Sequence, residues 1–290
     1  MINRNKMKLN KKIYLHFLSG LALLSILAAA AVIFQERILL FPIPLHQNHT
    51  YRFKHGQPFE ELFFTKADSV SLNALYFTTP KPKGLIFYLH GNAANVQRYG
   101  RYAPDFTQKG YNLLMYDYRG FGKSRGIINE TTFYTDAQML YDSIQQCLGF
   151  KQEDIIIYGR SLGTGIATKL AADNHPRALM LETPYYNIAD VAQRRVPLLP
   201  YNELLRYHFR TDIWIKAVKC PVFIFHGTND WVVPYQSGQL LLPFIGNPAH
   251  FVTIPGGRHN NLRTFTQYHQ ALQNFLQESA APPLPMPGNG

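Results

Sequence analysis

The hydrophobic pattern changes character along the chain. Residues 17–34 carry no charge, and only Ser19, Gly20 and Ser25 interrupt their apolar side chains. As a helix this stretch would run about 27 Å, close to the thickness of a bilayer core. Beyond residue 50 the apolar runs become short and continuous, at 84–89, 111–116, 155–158, 178–181, 222–225 and 251–254. Runs of that length without polar alternation predict parallel strands covered on both faces. Between them, residues 95–109, 131–147, 162–172, 235–242 and 261–277 have helical periodicity. Two earlier segments, 59–65 and 71–78, suit antiparallel strands at one edge. The order of elements predicts an α/β fold with a doubly wound, mostly parallel sheet.

Roughly forty residues separate the strands ending at 181 and beginning at 222, more than a simple crossover needs. This insertion, at about 184–216, is expected to form a helical lid. Tyr185, Tyr186, Val196, Tyr201, Tyr207 and Phe209 make it apolar and aromatic, and Arg194, Arg195, Arg206 and Arg210 add positive charge. The domain plan is therefore a basic N-terminus at 1–12, a membrane anchor at 13–36, an α/β domain at 50–278 and a disordered tail at 279–290.

The net charge of +11 looks at first like a nucleic-acid signal. Residues 1–37 hold six Lys/Arg and one Glu, which leaves +6 spread over the rest of the chain. No dense basic stripe of the kind a phosphate backbone demands is present, so no nucleic-acid partner is expected. The basic residues instead flank the apolar stretch. The positive-inside rule puts the N-terminus in the cytoplasm and the α/β domain outside it, in the periplasm of a Gram-negative host. A cleaved signal peptide is the competing reading, with residues 28–31 as the cleavage region. Cys147 and Cys220 read as small core side chains, and no cysteine or histidine spacing suits a metal. No cofactor is expected: Gly122-Lys123-Ser124 lacks the first glycine of a phosphate loop, where Asp117 stands instead.

The chemistry gathers at the carboxyl ends of the predicted strands, where open α/β sheets bind ligands. Gly159-Arg160-Ser161-Leu162-Gly163 joins an apolar strand directly to a helix. In that context it predicts a nucleophile elbow, whose strained corner lifts the serine Oγ above the sheet. His90-Gly91-Asn92 follows the first parallel strand, where the Asn92 amide, with that of Leu162, would face an oxyanion. His226-Gly227-Thr228-Asn229-Asp230 and Pro255-Gly256-Gly257-Arg258-His259 follow the last two strands. The chain order is serine, acid, histidine. Glu182, at the end of the intervening strand, is the alternative acid, and Asp117 and Arg119 are expected to hold a turn through polar contacts.

Over residues 52–277 these motifs resemble the α/β-hydrolase superfamily. Leu39-Leu40-Phe41-Pro42, His90-Gly91-Asn92, Asp117-Tyr118-Arg119-Gly120-Phe121-Gly122 and the elbow are together similar to membrane-anchored serine hydrolases of the bud-emergence-like group. The resemblance implies an α/β-hydrolase fold and a serine esterase, lipase or thioesterase. Ser161 would be the nucleophile, His259 the base, Asp230 the orienting acid, and Asn92 and Leu162 the oxyanion donors. One departure is Arg258, where the group carries a small residue before its histidine. The expected substrate is a small-molecule or lipid acyl ester. Acyl transfer by the same triad and a catalytically silent membrane scaffold are the alternatives.

Overall fold

A computed structural model describes residues 13–23, 25, 26, 35, 40–65, 70–246 and 248–279. Eight strands form one sheet in the order β1-β2-β4-β3-β5-β6-β7-β8. They are β1 (Phe59–Thr65), β2 (Ser71–Phe77), β3 (Leu85–Leu89), β4 (Asn112–Tyr116), β5 (Ile155–Arg160), β6 (Ala178–Glu182), β7 (Val222–Gly227) and β8 (Ala249–Ile254). The hairpin β1–β2 is antiparallel and joins β4 antiparallel, while all later pairings are parallel.

The continuous apolar runs of the central strands divide by residue parity, because successive side chains point to opposite faces. Phe87, Leu89, Ile155, Ile157, Leu179 and Leu181 pack on one face. Ile86, Tyr88, Ile156, Tyr158, Met180 and Phe225 pack on the other. Helices α1 (Glu130–Cys147) and α2 (Leu162–Asp173) cover the first face with Leu140, Ile144, Ile166 and Leu170. The last helix described, Thr266–Glu278, covers the second with Tyr268, Leu272 and Phe275. Both faces are thus sealed, and the carboxyl ends of β3, β5, β7 and β8 are free to carry chemistry.

Two expectations need correction. Residues 95–109 are not one helix but Val96–Tyr99, a 3-10 turn at Gly100–Tyr102 and Pro104–Thr107. Pro104 starts the last of these, since proline suits a first turn and breaks a helix interior. Cys147, at the end of α1, is exposed, whereas Cys220 is buried. Half of the expected membrane span at 17–34, namely 24 and 27–34, and all of the expected tail but residue 279 lie outside the described residues. Residues 13–23 are helical and exposed. Among the described residues no helix is long and apolar enough to cross a membrane.

The insertion is helical in part, with α3 (Ile188–Arg195), Tyr201–Leu204 and Thr211–Trp214. Asn187 caps α3 by accepting from the Asp190 amide at 2.8 Å. Gln35 is bonded to this region: its Nε2 donates to the Leu204 carbonyl at 3.3 Å, and its Oε1 accepts from the Arg206 amide at 2.7 Å.

Candidate active site

Ser161 sits where β5 turns into α2, with φ 50° and ψ −117°, a conformation that L side chains rarely adopt. The strain is held by close packing around it. A Cβ on Gly159 would lie 2.6 Å from the Gly163 carbonyl oxygen and from the Ala167 Cβ, and one on Gly163 would collide with the Leu89 carbonyl. Only glycine at both places lets helix, strand and β3 come together. The Ser161 amide donates to the Glu182 carbonyl at 2.9 Å, which ties the corner to β6.

His259 and Asp230 complete a line. The His259 Nδ1 stands 2.8 Å from Asp230 Oδ2, and its Nε2 stands 2.8 Å from Ser161 Oγ. A carboxylate accepts, so Nδ1 carries the proton and leaves Nε2 able to accept from the serine hydroxyl. Asp230 is fixed in turn: its Oδ1 accepts the amides of Val232 and Val233 at 2.8 and 2.9 Å. Burial opposes charge on Asp230. Hydrogen bonding to His226 and His259, the His259 charge and the Val233 amide outweigh it and hold the carboxyl well below the usual carboxylate range.

His226 is a participant to which the sequence pattern gives no role. It is fully buried at the end of β7, its Nε2 is 3.0 Å from the Val233 carbonyl, and the same nitrogen lies 3.5 Å from Asp230 Oδ2. The carbonyl can only accept, so Nε2 bears the proton, and it lies near Asp230 Oδ2, the same oxygen that faces His259 Nδ1. Its spacing four residues before the acid was the available signal.

The loop after β3 closes the other side. Gly91 lies against the nucleophile, for a Cβ there would stand 3.3 Å from the Ser161 Cβ. Asn92 Oδ1 accepts from the Phe41 amide at 3.2 Å, which binds this loop to the incoming chain. Beneath it, His90 is fully buried with Nδ1 2.7 Å from the Gly91 carbonyl and Nε2 3.3 Å from Asp117 Oδ1. Asp117 also accepts the Val96 amide at 2.8 Å, and burial pushes its carboxyl up despite His90 and that amide. Arg119 forms a bidentate pair with Asp136 at 2.7 and 2.8 Å. Both side chains hold the turn, as the sequence suggested.

Glu182, the alternative acid, is engaged elsewhere. Its Oε1 accepts from Arg160 Nε at 2.8 Å, and its Oε2 takes the Tyr158 hydroxyl and lies 3.5 Å from Arg263 Nη2. Burial would raise its pKa, but Arg263 and Arg160 with those hydrogen bonds leave the carboxyl below its ordinary value.

Ser161, Leu162 and Asn92 all open onto one cavity of ≈ 380 Å³. Its walls are apolar, with Leu40 and Phe41 on one side and Ile188, Val191, Val196 and Phe209 of the insertion on the other. Arg195 also lines it, and its Nη2 donates to the Val232 carbonyl at 2.9 Å. Arg258 is exposed and does not line this cavity. Among the described residues no group of three or more His, Cys, Asp or Glu could hold a metal.

A family model described as "Serine aminopeptidase, S33" matches residues 80–206. The lysophosphatidylserine lipase ABHD12 of Danio rerio is 32% identical over 231 residues, which cover 67% of this chain and 58% of that protein. The chain therefore spans somewhat over half the length of that relative. The human alpha/beta hydrolase domain-containing protein 17B is 28% identical over 222 residues, 75% of each chain. Among solved structures, the Pyrococcus furiosus esterase Pf2001 superposes with a TM-score of 0.66 at 17% identity, covering 83% of this chain and 97% of its own. Est1E from Butyrivibrio proteoclasticus, with ferulic acid bound, superposes with a TM-score of 0.61 at 20% identity, covering 75% and 98%.

Proposed function

We propose that the chain is a serine hydrolase of the α/β-hydrolase superfamily that cleaves an ester or thioester of an acyl, lipid-like substrate through an acyl-enzyme, a reading supported by the family-model match and by the similarity to the ABHD12 lipase. The observation that carries the reading is the unbroken line Ser161–His259–Asp230, at 2.8 Å for each step, opening into an apolar cavity. Ser161 Oγ attacks the acyl carbonyl while His259 Nε2 takes its proton. The amides of Asn92 and Leu162 stabilise the tetrahedral oxyanion. Collapse breaks the bond to the leaving group, which departs with the proton from His259. Water, deprotonated by the same nitrogen, then releases the acid. Asp230 keeps the imidazole in the required tautomer and stabilises its cation.

The substrate class follows from the walls. Aliphatic and aromatic side chains from the insertion, acting as a lid, suit an acyl chain, and Arg195 offers a cation at the edge for an anionic head group. The zebrafish relative is named as a lysophosphatidylserine lipase, and a single-chain anionic lipid fits the same description. We also propose that residues 17–34 anchor the chain in a membrane, with the N-terminus cytoplasmic. Exposed Tyr14, Leu15, Phe17, Leu18 and Leu21 support this reading. So does the short reach from that segment to the cavity, since Gln35 already contacts the insertion and Phe41 lines the site.

A fluorophosphonate probe applied to membranes containing the chain tests the mechanism. Labelling is expected in the wild type, absent in Ser161→Ala and strongly reduced in His259→Ala. A folded wild type that stays unlabelled removes the proposal. If labelling holds, a panel of monoacyl lipids with anionic and neutral heads reads the substrate class directly.

A further inference from the structure

Arg160 stands one residue before the nucleophile, yet it points away from the cavity and is 4% exposed. Its guanidinium is a fork between two parts of the molecule. Nε donates to Glu182 Oε1 at 2.8 Å, while Nη2 donates to the His259 carbonyl and to Asn260 Oδ1, each at 2.9 Å. Arg160 and Glu182 are register partners at the ends of β5 and β6. Glu182 also receives the Ser161 amide on its main chain. One buried pair therefore touches the nucleophile's strand, the neighbouring strand and the backbone of the histidine loop.

The loop enters through Pro255-Gly256-Gly257, with Gly256 at φ +73°. The Gly256 amide donates to Thr228 Oγ1 and the Gly257 carbonyl accepts from the Asn229 amide, each at 2.9 Å, but these bonds lie three and two residues before His259 and leave its own carbonyl to another partner. Asp230 grips the imidazole at Nδ1 alone, about which the ring and its main chain can swing. A second grip on the same residue's carbonyl removes that freedom. Arginine suits the task because its planar fork fixes two directions at once, which an ammonium cannot do. Arg263, four residues past His259, lies 3.5 Å from Glu182 and pairs with Asp105, so the far side of the loop is held to the same carboxylate.

We propose that Arg160, oriented by Glu182, is a positioning residue that fixes the main chain at His259 and so keeps Nε2 within hydrogen-bond reach of Ser161 Oγ. The role rests on the reading of Ser161 and His259 as the reacting pair. It assigns Glu182 to alignment of the base through Arg160. Because neither side chain borders the cavity, their loss should slow the chemical step and leave binding unchanged. A misplacement near 1 Å costs on the order of 10²-fold.

The test uses the purified full chain, with fluorophosphonate labelling and hydrolysis of a soluble p-nitrophenyl ester. Arg160→Met is expected to lower the maximal labelling rate and kcat by about 10- to 100-fold, with the probe's half-saturation and KM within about twofold of wild type. Arg160→Lys should fall between them, and Glu182→Gln, which keeps shape but lets the fork turn, should lose about 3- to 10-fold. Millimolar guanidinium ion should restore part of the rate to Arg160→Ala, a rescue that a purely structural role would not produce. Folded Arg160→Met and Glu182→Gln proteins that react at the wild-type rate would overturn the proposal, as would a loss confined to KM. If Arg160→Met does not fold, Arg160→Lys and Glu182→Gln decide by the same criteria. Absence of labelling in the wild type would instead remove the serine-hydrolase reading, and this role with it.

Discussion

At the scale of single residues, Asp230 carries the clearest consequence. Its folded-state pKa lies below the value near 3.9 of an unfolded aspartate, so the unfolded chain binds the proton more readily. The stabilisation it supplies is complete above about pH 4 and is lost as pH falls toward the folded-state pKa. Urea unfolding of wild type and Asp230→Asn should therefore differ most at neutral pH, with the gap starting to narrow as pH falls below about 4. A gap that widens in acid would contradict the assignment. The same substitution should lower kcat by about 10³ to 10⁴, because an amide can stabilise the wrong imidazole tautomer. Ser161, Asp230 and His259 were legible because each follows an apolar run in a fixed order. The contribution of His226 was not, since its contact with Asp230 depends on how the turn from Gly227 to Val233 folds back. The same holds for Arg160, whose partners lie 22 and about 100 positions away.

At the scale of elements, the elbow shows how tightly a strand and helix must meet. Gly163→Ala puts a methyl into the Leu89 carbonyl, and overpacking of this kind costs about 1–3 kcal/mol. Calorimetry should show a lower Tm for Gly163→Ala, with loss of probe labelling as Ser161 moves. Gly246→Ala is the control: nothing lies within 4 Å of its Cβ position, so stability should change by less than about 0.5 kcal/mol. A neutral Gly163→Ala would mean that the corner is looser than its packing implies. Strand positions could be read from apolar runs because burial on both faces imposes continuous hydrophobicity. The helical periodicity at 95–109 is interrupted by Gly100 and Pro104, which open the 3-10 turn and the second short helix. A Cβ on Gly100 would collide with the Phe53 ring, a tertiary demand invisible in local pattern.

At the scale of the whole molecule, the proposal to test is the anchor. The full chain is expected to stay with membranes through alkaline carbonate washing, and a tag after Gly290 should be reached from the side opposite the N-terminus. Release of the chain by carbonate would overturn the anchor while leaving the hydrolase reading untouched. The site is also built at this scale. Leu40 and Phe41 come from the incoming chain, Ser161 from the sheet centre, and Ile188 and Val191 from the insertion.

The sequence by itself determined the order of strands and helices and the candidate side chains Ser161, Asp230 and His259, which the fold brings into hydrogen-bond contact. Both are written in local terms: continuous apolar runs, a glycine-flanked serine between strand and helix, and polar residues following strand ends. Only the tertiary structure decided which polar groups hold those side chains in place, because hydrogen bonds form between atoms close in space. It assigned Glu182 to Arg160 rather than to His259, put His226 beside Asp230, and brought Phe41 to Asn92. The strand register decides the first of these, the turn after β7 the second and the path of the incoming chain the third. None of the three leaves a periodic mark in the sequence.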